Sequence, residues 1–348
     1  MAKAPRSLAG EVVAITGGAR GIGRATAAAL IAQGARVAIG DIDAELTQRT
    51  AAELGSGTIG LALDVTDSAS FESFLEQTER QLGPLSVLIN NAGIMPIGPF
   101  VDETEGTAQR MVDINLHGVI TGSKLALKRF VPRHSGHLVN IASMAGKAGV
   151  AGGATYCATK HGVVGLSESL RQELRGSGVQ FSVVMPIGVN TELYSGATQM
   201  RGFKTPEPED VANAIVDALQ TSRFEVFVPK RMSSTLRLTA IVPRSVSEAL
   251  ARLLKADRTL AVTDQKARAA YDARMAETVA AGQRPAVVLE PSGDGEPVVL
   301  VTPGAVAGDA PVVVGPAEPV AVVEPAVVVE PTAVAESAAS EQAAKETV

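Results

Sequence analysis

The sequence predicts an α/β fold: a parallel, doubly wound sheet covered by helices on both faces. Three observations carry this. Seven short runs, apolar and rich in β-branched residues, recur between residues 11 and about 230: VVAIT (12–16), RVAIG (36–40), TIGLAL (58–63), LSVLIN (85–90), HLVNIA (137–142), QFSVV (180–184) and EVFV (225–228). Runs of this kind suit strands buried on both faces. Most of the intervals between them are long enough for a crossover helix, which makes neighbouring strands parallel. A glycine-rich turn also follows the first run directly and opens a helix-like stretch, RATAAALIAQ.

Composition narrows the rest. The chain has 348 residues, 46% of them apolar, with no Trp and three Tyr, so the core is aliphatic. A single cysteine leaves no disulfide framework and no Cys-based metal site. The N-terminal stretch lacks the apolar core of a secretion signal, and no run of about 18 apolar residues predicts a spanning helix. The net charge of −6 is uneven: residues 284–348 carry ten acids against two bases, a net −8, which leaves +2 on the rest. No basic run with interleaved aromatics supports nucleic-acid binding. Three regions are expected: 1–230, the α/β domain; 231–283, a basic helical extension; and 284–348, a disordered tail of Pro, Ala, Val and Glu. The extension holds ten Lys/Arg against four Asp/Glu between Lys230 and Arg274.

The glycine turn, TGGARGIG (16–23), reads as a phosphate site. Gly17, Gly21 and Gly23 let the backbone turn tightly and let a phosphate approach without a Cβ in the way. The helix N-terminus behind them offers free N–H groups and partial positive charge. Asp41 ends the second strand, where a carboxylate can accept ribose hydroxyls and repel a 2′-phosphate. That favours NAD, with NADP second. Arg20 in the loop argues the other way, since it can reach a phosphate. The plainer reading of Asp41 and Asp43 is a turn and a helix cap.

In TYCATKHGV (155–163), Tyr156 and Lys160 stand one helical turn apart on one face. With TGGARGIG, Asp64-Val65, NNAG (90–93), Asn115 in DINLHG and Ser143 in NIASMAG, the set resembles the short-chain dehydrogenase/reductase family in its one-domain form. The resemblance covers about residues 8–230 and implies a seven-stranded Rossmann fold with a nicotinamide cofactor at the carboxyl ends of the strands. It implies Asn115, Ser143, Tyr156 and Lys160 as the catalytic set. It places Gly17, Arg20, Gly21, Ile22, Gly23, Asp41, Asp64, Val65, Asn91, Ala92, Gly93, Val189 and Thr191, with Tyr156 and Lys160, along the cofactor. The family's usual Pro-Gly after the sixth strand is here Pro186-Ile187-Gly188, so Ile187 narrows the substrate pocket.

Tyr156 is then the general acid/base, with a phenol pKa that Lys160 lowers, and Ser143 holds the substrate oxygen. Lys160 also bonds the nicotinamide ribose. Asn115 holds a water in a proton relay; read alone, it satisfies a backbone kink. Cys157 points away and packs. His134 and His137 read as loop residues without metal partners, and His117 and His161 as structural, so no metal is expected. The apolar, Gly- and Met-containing stretches 95–96, 144–154 and 193–204 suggest a lipophilic small-molecule substrate such as a steroid, retinoid or fatty alcohol. Residues 190–208 suggest a lid. The extension reads as a helical cap over the cleft, or as a peripheral membrane contact through 230–255 by way of Leu236, Leu238, Ile241 and Val242 among basic residues. The expected localisation is cytoplasmic, and the resemblance implies a homodimer or homotetramer. The competing class is an NAD-binding regulator or scaffold on the same fold; a nucleotide-sugar epimerase fits less well.

Overall fold

Seven parallel strands form one sheet in the order β3-β2-β1-β4-β5-β6-β7. They are β1 (Val12–Thr16), β2 (Arg36–Asp41), β3 (Ile59–Ala62), β4 (Val87–Asn90), β5 (Gly136–Ile141), β6 (Val179–Pro186) and β7 (Glu225–Val228). Ile15 stands beside Ile39 on one side and Ile89 on the other, so β1 is central. The computed structural model describes residues 5–198, 204–234, 244–253, 259–261 and 264–282. Met1–Gln283 form one unit. The membrane-contact residues Leu236, Leu238, Ile241 and Val242, and the tail 284–348, lie outside the described residues.

Helices α1 (Gly21–Ile31), α2 (Ala44–Leu54), α3 (Ser68–Leu82), α4 (Glu105–Val112), α5 (Gly118–Phe130), α6 (Ala154–Glu173) and α7 (Pro208–Thr221) connect the strands, followed by α8 (Arg244–Leu253) and α9 (Gln265–Gly282). Their starts are written in side chains. Asp43 accepts the Leu46 N–H at 3.0 Å, Asp67 the Ala69 N–H at 2.9 Å and Thr104 the Thr107 N–H at 3.1 Å. Glu207 and Asp210 form a reciprocal capping box around Pro208. The core divides into layers on the two sheet faces, one around Phe71, Phe74, Leu88 and Phe130, the other around Ile15, Leu30, Ile39 and Ile215. Among the described residues, no helix is long and apolar enough to cross a membrane.

His137 lies inside β5 and is fully buried, not in a loop. Its Nε2 lies 2.8 Å from Ser182 Oγ. Burial, with a smaller push from Arg6, lowers its pKa to about 3. The folded state keeps this imidazole neutral, whereas an unfolded histidine takes a proton below about pH 6.5. Stability is therefore expected to fall as pH drops from about 6.5 toward 3, by on the order of 5 kcal/mol from this residue at most. Urea midpoints across that range measure it, and His137→Gln should flatten the slope. An equally steep slope in the variant would assign the loss to other groups.

Candidate active site

The glycine loop and the NNAG loop are laced together at the carboxyl ends of β1 and β4, where the strand order reverses. Thr16 Oγ1 accepts the N–H groups of Asn91 and Ala92, each at 3.0 Å. Asn91 Nδ2 donates to the carbonyls of Thr16 and Gly17, both at 2.9 Å. Gly17 turns with φ +65°, and a Cβ there would lie 2.8 Å from Ala92 Cα. A Cβ on Gly23 would lie 2.2 Å from the Gly17 carbonyl oxygen. Glycine is thus required by close approach as well as by the turn. Arg20, the N-cap of α1, supplies no side-chain cap, so this helix end keeps its N–H groups for an anion.

Asp41 is half-buried at the end of β2 and accepts the Ala19 N–H at 3.3 Å. Burial raises its pKa, partly offset by that bond and by the charge of Arg20. Arg20 itself bonds Asp43 at 2.9 Å and lies 3.5 Å from Glu192. Asp64 accepts the Thr66 N–H at 2.9 Å and the Thr66 hydroxyl at 2.7 Å. Val65 is buried against Gly118. On the other wall Val189 is buried, and Thr191 Cγ2 faces Gly21, 3.4 Å from where a Cβ would stand. Ile22 packs half-buried on the α1 core. Glycines that close the loop, an open helix N-terminus and a terminal carboxylate beside it form a donor set that fits a dinucleotide.

The chemical centre lies between β5, α6 and the residues after β4. Tyr156 is buried, with the Ser143 side chain beside its hydroxyl, and Ser143 Oγ donates to the Pro186 carbonyl at 3.5 Å. Ser143 Oγ also accepts the Ala145 N–H at 3.1 Å, which caps the short turn 144–146. Lys160 Nζ stands 5.7 Å from the Tyr156 ring centroid and donates to the Ile141 carbonyl at 2.9 Å. A Cβ on Gly93 would sit 3.7 Å from Lys160 Nζ and 3.1 Å from Asn115 Oδ1, so Gly93 adjoins both. Asn115 occupies a π-helical turn, Asp113–His117, between α4 and α5. Its amide accepts the Ile94 N–H at 2.8 Å and donates to the Ile94 carbonyl at 2.8 Å. A third contact reaches Thr159 Oγ1 at 3.4 Å. Asn115 thereby fastens the loop after β4 beside Lys160. Cys157 is buried, its Sγ accepting the Val150 N–H at 3.4 Å.

The electrostatics differ from the expectation in one respect. Burial pushes the Tyr156 phenol above its usual value; the Ser143 side chain opposes this, while Tyr271 and Cys157 add to it. Burial also lowers Lys160 to about 8. The protein by itself therefore holds Tyr156 as the acid, and a low phenol pKa is not built into the fold.

The sequence reading expected a helical cap from the extension but singled out no residue of α9. Tyr271 is buried, and its hydroxyl accepts the Met95 N–H at 2.8 Å. Arg268, also buried, donates to the carbonyls of Met95, Leu193 and Ser195. Arg274 pairs with Glu192 at 2.8 Å. Tyr156, Tyr271, Leu260, Met95 and Met275 belong to one apolar cluster, with Tyr194 packed against it. The chain has only three tyrosines, and all three lie in or against this cluster. The Tyr194 ring covers Gly188, where a Cβ would lie 2.0 Å from the ring.

Comparison with known proteins gives the family. The family model for short chain dehydrogenase matches residues 11–202. The chain is 35% identical over 228 residues to 2-(S)-hydroxypropyl-CoM dehydrogenase 3 of Xanthobacter autotrophicus, covering 60% of this chain and 89% of that protein. It is 36% identical over 213 residues to 3-alpha-(or 20-beta)-hydroxysteroid dehydrogenase of Mycobacterium bovis, covering 60% and 82%. A crystal structure of a short chain dehydrogenase/reductase from Burkholderia phymatum in complex with NAD superposes with a TM-score of 0.62 at 26% identity, covering 68% of this chain and 94% of that one. The protein belongs to the short-chain dehydrogenase family. It is an oxidoreductase of the CH–OH group that uses a nicotinamide cofactor.

Proposed function

We propose that the enzyme is NAD-linked and interconverts an uncharged secondary alcohol and its ketone on a lipophilic frame. The observation that carries this is the buried Tyr156, with Ser143 beside its hydroxyl, in an apolar cluster that includes Met95, Leu260, Tyr271 and Met275. Arg268, the buried cation beside it, spends its guanidinium on main-chain carbonyls and lies 3.0 Å from Asp272, which leaves it a poor partner for an anionic substrate. The relative named for a hydroxysteroid acts on a substrate of this uncharged, apolar class.

In this reading bound NAD(H) supplies or accepts the hydride. Tyr156 gives its proton to the carbonyl oxygen in reduction and takes it back in oxidation. Ser143 donates a hydrogen bond to the same oxygen and stabilises its developing charge. Reduction starts from the neutral phenol that burial already favours. Oxidation has to form a phenolate against that burial, and Lys160 lowers the cost. At about 5 Å and an effective dielectric near 20, one positive charge is worth on the order of 3 kcal/mol. Asn115 and the Ile141 carbonyl hold the surroundings of Lys160 in register.

Asp41 and Arg20 support NAD over NADP. The carboxylate would face a 2′-phosphate in a poorly solvated place, and Arg20 is committed to Asp43 and Glu192. Calorimetric titration is expected to give at least about 10-fold tighter binding of NAD, and Asp41→Ser should narrow that ratio by about 10- to 100-fold. Equal affinities in the wild type would remove Asp41 as the discriminator. Turnover on a panel of steroids, retinoids, fatty alcohols and short hydroxy acids tests the substrate class. Activity confined to the hydroxy acids would overturn it.

A further inference from the structure

Two loops that pack in or on the cluster containing Tyr156 belong to different parts of the chain. One is the segment Ile94–Met95 after β4; the other is Leu193–Ser195 after β6. From the inner side Asn115 holds both main-chain polar groups of Ile94, at 2.8 Å each. The very next residue is held in the same two-ended way, but from α9. Met95 N–H goes to Tyr271 Oη at 2.8 Å, and Met95 carbonyl to Arg268. The same guanidinium reaches across to Leu193 O at 3.3 Å and Ser195 O at 3.2 Å. It also lies over the Tyr271 ring, 4.7 Å from its centroid. A buried cation that binds three carbonyls from two loops is costly unless its geometry is kept.

We propose that Arg268 and Tyr271 are positioning residues for the catalytic centre. On this inference the C-terminal extension works as a clasp that ties the two loops at a fixed distance from Tyr156. Tyr271 is also part of the apolar cluster around Tyr156, and so helps set which substrates enter. The inference rests on the oxidoreductase reading above for its kinetic consequence, though not for the clasp itself. Glu192 extends the same tie outward, since it meets Arg274 of α9 at 2.8 Å and Arg20 of the glycine loop at 3.5 Å.

The test uses the full chain with Tyr271→Phe, Arg268→Met and Arg268→Lys. Tyr271→Phe removes one acceptor and keeps the ring, so it serves if the arginine variants fail to fold. Hydrogen exchange of the Ile94, Met95 and Ile97 amides is read first and needs no substrate. Exchange there is expected to quicken at least about 10-fold in Tyr271→Phe and Arg268→Met, while the amides of β1 stay as in the wild type. NADH affinity should stay within about 2-fold, and kcat on the best panel substrate should fall about 10-fold or more. Arg268→Lys should keep most of the defect, because an ammonium keeps the charge but cannot span two loops. A full rescue by lysine would show that charge alone matters and overturn the clasp. Wild-type exchange rates at these amides in both Tyr271→Phe and Arg268→Met would also overturn it, as would opened loops with unchanged kcat. If the wild type turns over no panel substrate, the substrate reading fails, and the exchange data alone decide the clasp.

Discussion

Tyr156→Phe is expected to lower turnover about 10³-fold while NADH binds within about 2-fold of the wild type. The phenol is buried, and the Phe ring fills the same volume, so the cluster with Met95, Leu260 and Tyr271 keeps its packing. What is lost is one hydroxyl, the group beside Ser143 to which the proposed mechanism assigns the proton transfer. The two directions should not suffer alike as pH changes. Burial favours the neutral phenol, so wild-type reduction has its acid in place at neutral pH, while oxidation must deprotonate it. The wild-type oxidation rate should therefore rise with pH across the neutral range, and reduction should not. In Tyr156→Phe the pH dependence of oxidation should flatten. Steady-state rates in both directions between about pH 6 and pH 10 read this directly. A variant that kept its turnover, or kept the wild-type slope, would move the proton transfer to another group.

The parts of this site that could be read from the sequence are those fixed over short spans. Tyr156 and Lys160 share a helix face because of their spacing. The glycines of 17–23 report their own tight turn, since no other side chain could lie within 2.2 Å of the Gly17 carbonyl. The strand runs are legible because both faces of the sheet are covered. The π-helical turn that holds Asn115 has no period of its own and reads as ordinary helix. In Pro186-Ile187-Gly188 the Tyr194 ring lies on Gly188, 2.0 Å from where a Cβ would stand, and this contact over six residues is not visible in the motif. The pKa of Tyr156 lies on the other side of its ordinary value from the expectation because burial, which no spacing reports, raises it, and Ser143 offsets only part of that rise. Arg268 and Tyr271 lie more than 170 residues from Met95. Their bonds are to main-chain atoms, which carry no side-chain signature to match.

Gly23→Ala should be the most damaging small substitution on the cofactor side. Gly23 has an ordinary φ, so the cost is one of space. Its Cβ would meet the Gly17 carbonyl at 2.2 Å, Asn91 Nδ2 at 2.8 Å and Gly18 Cα at 2.9 Å. Two of these are backbone, and the third is the amide that laces the two loops together. None is the free end of a flexible chain that could step aside. Overpacking of this sort costs on the order of 3 kcal/mol. If the glycine loop takes the strain, NAD affinity falls about 100-fold with the thermal midpoint nearly kept. If the β1–β4 lacing takes it, the midpoint falls instead. Gly21→Ala is the matched control: its φ is +52°, but its Cβ meets only Thr191, at 3.4 Å and beyond. Its loss should be smaller, about 1 kcal/mol from the backbone alone. Calorimetry and thermal melts on both variants separate the cases. Equal effects of the two alanines would mean that the contact with Gly17 does not set the loop, and that the backbone angle does.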